Sequence, residues 1–148
     1  YGSSGIDIRD NFAEIIQEGN YQLIWSDGKK KSVNSKQIPN DQILVGHWKI
    51  RFMEKPSLGE PIETDIETLK SWTEFSQQAI KHFSGTACYS KTFTLSQRLL
   101  IVGRIYLDLG NVQELATIRI NGKEVSTCWI ASFRADITDY LKSWDNML

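Results

Sequence analysis

The sequence is poor in the residues that most often hold metals or form covalent links. Among 148 residues it has two cysteines, Cys88 and Cys128, and two histidines, His47 and His82. The cysteines have no CxxC spacing, and no second metal ligand stands two or four residues from either histidine, so no zinc or redox motif is predicted. We expect two buried small hydrophobes at the cysteines, although an oxidising compartment would allow them to pair.

Neither sign of charge dominates, and long apolar runs are missing. Seventeen Lys and Arg stand against eighteen Asp and Glu, a net charge of −1, which argues against nucleic acid as a partner. No stretch approaches the roughly 18 apolar residues that a membrane helix needs, which argues against a membrane partner. The N-terminal "YGSSGIDIRD" lacks the charged start and apolar middle of a secretory signal, although a signal upstream or already removed stays open.

Aromatic residues and period-two alternation are plentiful. The chain is 41% hydrophobic, with five Trp, five Tyr and six Phe, as expected for a globular core. "GHWKIRF" places Trp48, Ile50 and Phe52 on one face, and "ATIRING" places Ala116 to Ile120 on a strand that Asn121-Gly122 turns into a hairpin. Many short strands without a convincing helix predict an all-β fold, an antiparallel sandwich.

Other segments fit the same picture. "GNYQLIWSDGKKKSV" predicts a hairpin with a two-residue turn at Asp27-Gly28. Met53 to Ala79 shows no sustained period and predicts a long connection with one helical turn around Glu67 to Trp72. In "CYSKTFTL" the alternation turns Tyr89 and Phe93 inward.

Near the end of the chain, "RADITDYLK" predicts a short helical turn. Asp136 or Thr138 is the expected cap, and Tyr140 and Leu141 are expected within the turn. A strand beginning at the final "NML" would stop short, so we expect this sequence to be a piece of a longer protein.

Catalytic motifs are scarce. Ser84 has only the adjacent Gly85 and not the flanking glycines of a nucleophile elbow. A glycosidase-type carboxylate pair is the remaining enzymatic option. We expect the acidic cluster of the long connection, Glu63, Asp65 and Glu67, to be solvated. Asp108 is expected to face solvent or an arginine of a neighbouring strand, and Asp136 is expected to cap. No catalytic residue, cofactor or metal is predicted, although a calcium ion held by scattered oxygen ligands stays open.

The tryptophans outside alternating runs are the best ligand candidates. Sugars stack their C–H faces on aromatic rings while polar groups fix their hydroxyls. Trp72, Trp129 and Trp144 fall in predicted loops or at strand ends, although tryptophans of a sandwich mostly belong to its core. Trp129 ranks first, because Asn121 and Arg134 lie close to it in the sequence, as does Ser132.

Three stretches together resemble a known domain family. They are "GHWKIRF", "LKSWTEFSQQAIKHFSGTACYSKTF" and "IYLDLGNVQELATIRINGKEVSTCWIASFRADITDYLKSWDNML". Their order and phrasing resemble the sugar-binding-type jelly-roll (galactose-binding-like) domain of glycoside hydrolases, of the shape seen in family 2 and with details most similar to family 106 α-L-rhamnosidases. The sequence departs from that pattern where Ser132 replaces the usual proline and Trp144 replaces the usual glycine.

The resemblance implies an architecture and a role. Residues 45–148 would form the jelly roll, and residues 1–44 would be the end of a preceding β-domain and a linker. In this family "HFSGTACYSKTF" is the entry into a core strand, where Ser84-Gly85-Thr86 lets the chain bend so that Phe83 packs down.

By the same resemblance the chain would be a non-catalytic, carbohydrate-binding-like accessory domain of a polysaccharide-degrading glycoside hydrolase, with an α-L-rhamnosidase or a β-galactosidase-like parent. The catalytic residues would lie elsewhere in a periplasmic or extracellular parent. The expected partners are a plant or host carbohydrate and the catalytic domain of the parent. The candidate sugar-contacting residues are Trp129, Trp72, Asn121, Arg134 and His82. An independent carbohydrate-binding module and a purely structural spacer remain the alternatives.

Overall fold

The computed structural model describes residues 6–9, 12–53, 60–101 and 103–148. The chain divides into two compact units, Tyr1–Asp41 (unit 1) and Gln42–Leu148 (unit 2). Both are built from antiparallel strands, which confirms the predicted all-β class. No helix in the described part of the chain is long and apolar enough to span a membrane.

Unit 1 contains two hairpins. One pairs β1 (Ile6–Arg9) with β2 (Phe12–Ile15), and the other pairs β3 (Gly19–Ile24) with β4 (Lys30–Ser35). The predicted β3–β4 hairpin is confirmed, but its two-residue turn is wrong. Trp25 N donates to Lys29 O and Gly28 N donates to Trp25 O, both at 2.9 Å, so the loop has an extra residue and Gly28 takes the left-handed position, with φ +84°.

Unit 2 carries the remaining elements. Its strands are β5 (Trp48–Phe52), β6 (Ile62–Ile66), β7 (Ala87–Ser90), β8 (Thr92–Phe93), β9 (Tyr106–Asp108), β10 (Ala116–Ile120), β11 (Lys123–Cys128), β12 (Arg134–Asp136) and β13 (Asn146–Met147). The one α-helix of the described residues is α1 (Gln78–Lys81), and 3-10 helices span Trp72–Glu74, Leu99–Ile101 and Thr138–Tyr140. The strands pair as β6-β5-β7, β13-β8, β12-β9 and β10-β11.

The β6-β5-β7 sheet contains one confirmed strand and one that the sequence did not predict. Trp48, Ile50 and Phe52 of β5 are buried and the residues between them are exposed. The prediction of an unpaired connection from Met53 to Ala79 is wrong for β6, which pairs along the length of β5; residues 54–59 lie outside the described part. Only Ile62 and Ile66 mark the inner face of β6 with apolar side chains, which left its period too weak to recognise.

The predicted helical turn in this connection lies later than expected. It is the 3-10 helix Trp72–Glu74, and Ser71 forms a capping box with Glu74. That reciprocal pair of hydrogen bonds satisfies the free backbone N–H groups at the start of the turn, which sets where it begins.

Unit 2 has two hydrophobic clusters. The first centres on Ile118, Ile120 and Ile137, and the second on Ile50, Phe52 and Ile80. Tyr89 packs against the second cluster whereas Phe93 belongs to the first. The inward-turned run around "CYSKTF" therefore joins two clusters instead of lining one.

A buried lysine lies between those two aromatic residues. Lys91 is only 9% exposed. Its Nζ donates to His47 O at 2.9 Å and lies 5.2 Å from the ring centroid of Trp48. The carbonyl and the aromatic face compensate the buried ammonium.

The two cysteines differ from each other. Both are free thiols, and Cys128 is buried as predicted, but Cys88 is exposed. The prediction of burial is wrong for Cys88 because it lies opposite Arg51 in the β5–β7 pair, on the outward side of that sheet.

Candidate functional site

Trp129 stands in a short loop whose two ends are held together. The loop follows β11 and leads into β12, and the Cys128 thiol lies 4.0 Å from the carbonyl oxygen of Arg134. Cys128 is buried, whereas the Trp129 side chain is 71% exposed. The fold therefore presents a large aromatic ring to solvent from an anchored loop, as an aromatic platform for a ligand requires.

Arg134, at the start of β12, lies against Tyr106 of β9. Its guanidinium carbon is 4.9 Å from the centroid of the Tyr106 ring, within the range of a cation–π contact. Arg134 pairs in register with Asp108, but the Asp108 carboxylate accepts a hydrogen bond from Gly110 N at 2.8 Å. The two side chains form no ion pair in the described part of the chain.

The neighbouring carboxylate on β12 is fully engaged. Asp136 accepts hydrogen bonds from Arg104 Nη1 at 2.6 Å, from Thr138 N at 3.0 Å and from Thr138 Oγ1 at 2.5 Å. Partial burial opposes ionisation, but the bonds from Thr138 and Arg104 outweigh it and lower the pKa of Asp136 below its ordinary value of 3.8. Asp136 therefore holds the first turn after β12 through Thr138, close to the cap that the sequence predicts; the N-cap position itself is occupied by Ile137.

The lowered pKa predicts an acid-sensitive contribution to stability. The folded-state pKa of Asp136 lies below its unfolded-state value, so this stabilisation is present above about pH 4 and is lost as the pH falls through the folded-state pKa. We expect Asp136→Asn to lower the free energy of unfolding by about 1 kcal/mol at pH 7 and to narrow its difference from the parent near pH 3. Urea unfolding at both pH values measures this. Glu114→Gln, at an exposed position, is the control, and an unchanged difference at the two pH values would contradict the assignment.

Asn121 has a structural role. Its Nδ2 donates to Tyr140 O at 2.8 Å and to Asn146 Oδ1 at 2.9 Å, and its Oδ1 accepts from Met147 N at 3.1 Å. Asn121 and Gly122 have φ of 53° and 81°, the left-handed pair of a tight hairpin turn, so the predicted β10–β11 hairpin is confirmed. Because every polar atom of this side chain is engaged, sugar binding by Asn121 would require breaking the turn.

The contacts of Trp72 and His82 lie outside the β11–β12 loop. Trp72 packs edge-on against Phe52 and Phe83 with ring centroids 5.4 and 5.7 Å apart, and its Nε1 donates to Tyr89 Oη at 2.5 Å. His82 is exposed, and its Nε2 lies 3.1 Å from Gln78 Oε1. Trp72 therefore serves the second hydrophobic cluster, whereas the loop that carries Trp129 is linked to Arg134 through the Cys128 thiol.

Tyr106 is the residue of this site that the sequence did not single out. The alternation of "IVGRIYLDLG" already places Tyr106 outward beside Arg104 and Asp108, but only the pairing of β9 with β12 brings it under Arg134. The register of the two strands brings Tyr106 and Arg134 together, and the residues around Tyr106 do not indicate that register. The sequence alone therefore could not predict the contact.

The acidic cluster of the sequence lies on and beside β6 instead of in a loop. Glu63 Oε2 is 3.0 Å from Lys49 Nζ, and Asp65 and Glu67 lie 3.4 and 3.8 Å from ring nitrogens of His47. The hydrogen bond and charge of Lys49 lower the pKa of Glu63. These carboxylates form a cross-strand charge ladder on an exposed sheet face.

An open depression lies over β3 and β4 in unit 1. It has a volume of about 410 Å³ and is lined by Asn20, Tyr21, Gln22, Ser32, Val33 and Asn34. None of the five candidate sugar residues borders it. Its wide opening and lack of a charged group give no basis for assigning it a ligand.

The chain is similar to segments of much longer glycosidases. A protein of Formosa agariphila named "Putative beta-glucuronidase" is 40% identical over 123 residues, 82% of this chain and 10% of that protein. The solved structure of a rhamnosidase from Novosphingobium sp. PP1Y matches 92% of this chain and 14% of its own, with TM-score 0.63 and 22% identity. A β-glucuronidase from Ruminococcus gnavus in complex with D-glucaro 1,5-lactone matches 74% and 21%, with TM-score 0.58 and 23% identity. No protein-family model matches the chain.

The similarity covers most of this chain but only a small share of each matched protein. The chain spans only 10% to 21% of the length of these proteins. Unit 2 holds less than three quarters of the 148 residues, so the match over 92% of the chain also includes part of unit 1. The chain is therefore similar to a small part of glycoside hydrolases, and it shares their all-β antiparallel fold over that part.

Proposed function

We propose that this chain is a non-catalytic accessory domain of a polysaccharide-degrading glycoside hydrolase. The observation that carries the proposal is the 40% identity to a β-glucuronidase-named protein over a stretch that makes up only 10% of it. A matching stretch of 123 residues is the size of one domain, and the rest of that protein has room for a separate catalytic domain.

The carboxylates support a non-catalytic role. A glycosidase general acid needs a pKa raised towards neutrality. In the described residues, every carboxylate with a resolved shift has its pKa lowered, namely Asp27, Glu63 and Asp136. On this proposal the acid and the nucleophile or base lie elsewhere in the parent.

The finer architecture is also part of the proposal. The jelly-roll, galactose-binding-like domain takes residues 45–148, which all lie within unit 2, and residues 1–44 are the end of a preceding β-domain and a linker. The structural match that reaches into unit 1 is to a rhamnosidase, which supports a parent of the α-L-rhamnosidase kind, exported to the periplasm or the medium.

The first test is hydrolysis. The purified chain, assayed with aryl rhamnosides, glucuronides and galactosides, is expected to show no turnover above a buffer control. Turnover that follows the protein through purification and is lost on replacing one of its own carboxylates would overturn the accessory role.

Carbohydrate contact at Trp129 is the second part of the proposal. We expect a saturable change in tryptophan fluorescence with one of rhamnose, galactose, glucuronate or pectic oligosaccharides. Trp129→Ala is expected to weaken that binding by about tenfold, because a lost aromatic contact costs on the order of 1 kcal/mol and each 1.4 kcal/mol is about a factor of ten in affinity.

A matched variant gives this test its control. Trp25→Ala removes another exposed tryptophan, 49% exposed against 71% and part of unit 1, and is expected to leave the affinity unchanged. Equal losses in the two variants would contradict a site at Trp129.

An interdomain spacer is the second candidate function. Ala116 pairs with Cys128, so Leu115 and Trp129 emerge side by side at one end of β10–β11, 63% and 71% exposed, followed by Ile130 at 61%. An apolar patch of this kind also fits contact with a neighbouring domain. Silence of the sugar titrations would favour this role over carbohydrate binding.

A further inference from the structure

We infer that the Trp129 loop selects sugars that carry a carboxylate, and that Arg134 is the residue that recognises the carboxylate. The inference rests on the proposed carbohydrate contact at Trp129 and deepens it by naming a ligand class, the uronic acids. It starts from the charges on the outward face of β9 and β12.

Three of the four charged groups on this face are already engaged. Arg104 donates to Asp136 at 2.6 Å, and hydrogen bonds to Asp136 and then to Tyr106 raise the pKa of Arg104. Asp108 turns back to the backbone N–H of Gly110 at 2.8 Å. Arg134 is left as the cation without an ion pair in the described residues of this face.

Arg134 is also held in an orientation suited to recognition. Its guanidinium lies over the Tyr106 ring at 4.9 Å, and the Tyr106 side chain is itself hydrogen-bonded to Arg104. The ring restrains the guanidinium on one side, and N–H groups not engaged with the ring can donate two parallel bonds to a carboxylate.

The aromatic platform stands at the other end of the same short connection. Cys128, the residue before Trp129, contacts the Arg134 carbonyl at 4.0 Å, so the exposed indole and the guanidinium belong to adjoining points of the fold. When the pyranose ring of a uronic acid stacks on the indole, its carboxylate lies at the rim of that ring. A neutral sugar offers Arg134 only hydroxyl acceptors, so the stronger charge-assisted bonds to a carboxylate are left unmade.

The test compares charged and neutral sugars of the same ring geometry. Glucuronate and galacturonate are titrated against glucose and galactose by isothermal calorimetry with the full 148-residue chain at constant ionic strength, and sodium acetate serves as the non-sugar carboxylate. We expect each uronate to bind on the order of tenfold more tightly than its neutral counterpart and more tightly than acetate. Arg134→Gln should remove that preference, so that the uronate affinity falls to about that of the neutral sugar while the neutral-sugar affinity changes much less.

Controls separate recognition from general charge. Arg98→Gln removes the same charge from an exposed position and should retain the preference, and Arg134→Lys should restore only part of it. Circular dichroism of each variant checks that the fold is kept.

The outcomes distinguish the proposed carbohydrate site at Trp129 from the role of Arg134 in selecting uronates. Equal binding of neutral and acidic sugars, lost in Trp129→Ala, would overturn the uronate inference and leave the proposed site standing. A uronate preference unchanged in Arg134→Gln would overturn the role of Arg134, and acetate as tight as the uronates would reduce the site to a simple anion site. No binding by any sugar would overturn both the uronate inference and the proposed carbohydrate contact at Trp129.

Discussion

Replacing Phe52 with alanine is expected to lower the free energy of unfolding by roughly 3–5 kcal/mol. Phe52 is 1% exposed and stands at the centre of the second hydrophobic cluster. Its ring packs edge-on against Trp72 and Phe83 with centroids 5.4 and 5.0 Å apart. The substitution removes both aromatic contacts and leaves a cavity that the strand β5 backbone cannot close.

The next residue supplies the control for this variant. Met53 follows Phe52 in the chain and is 45% exposed, so Met53→Ala should change stability by less than about 0.5 kcal/mol. Urea unfolding followed by tryptophan fluorescence measures both variants. A loss below about 1 kcal/mol for Phe52→Ala would mean that the cluster is not packed as described.

Replacing Asn146 with alanine is expected to cost about 2–4 kcal/mol, because the side chain is a buried hydrogen-bonding hub. Asn146 is 1% exposed. Its Oδ1 accepts from Asn121 Nδ2 and from Lys142 N, and its Nδ2 donates to the carbonyls of Lys142 and Trp144. Alanine would remove all four of these partly buried hydrogen bonds at once, which costs more than a mutation of an exposed polar residue.

A double-mutant cycle tests whether this loss arises from the network. Asn121→Gly keeps the left-handed turn at φ 53° but removes the amide that bonds Asn146. We expect the double variant to lose about 1 kcal/mol less than the sum of the single variants. Met147→Ala, at an adjacent position that is 58% exposed, is the stability control, and strict additivity in the cycle would contradict a direct coupling.

Local chemistry was enough to predict part of this fold. The alternation of Trp48, Ile50 and Phe52 determines the buried face of β5, and Asn121-Gly122 determines a hairpin, because both depend on neighbours in the chain. The sequence did not predict β6, whose five residues include two charged residues and only two isoleucines. Its hydrogen-bonded pairing with β5 holds this segment as a strand.

The candidate site shows the same division. Trp129 and Arg134 are both exposed, and the sugar site that the sequence predicts from them stays a proposal. Asn121, chosen for its polarity, and Trp72, chosen for its place in an aperiodic segment, are committed to the hairpin turn and to an aromatic cluster. A polar or aromatic residue looks the same in sequence whether its partners are protein or ligand.

By itself the sequence determined the all-β class, the inner faces of its clearest strands and the position of its tightest turn, since these follow from side-chain periodicity and backbone sterics. Only the tertiary structure decided that Tyr106 underlies Arg134, that Asn146 closes onto Asn121, and that Cys88 faces outward. Each of these is a contact between residues distant in the chain, or depends on which side of a sheet a strand presents, and strand register sets both.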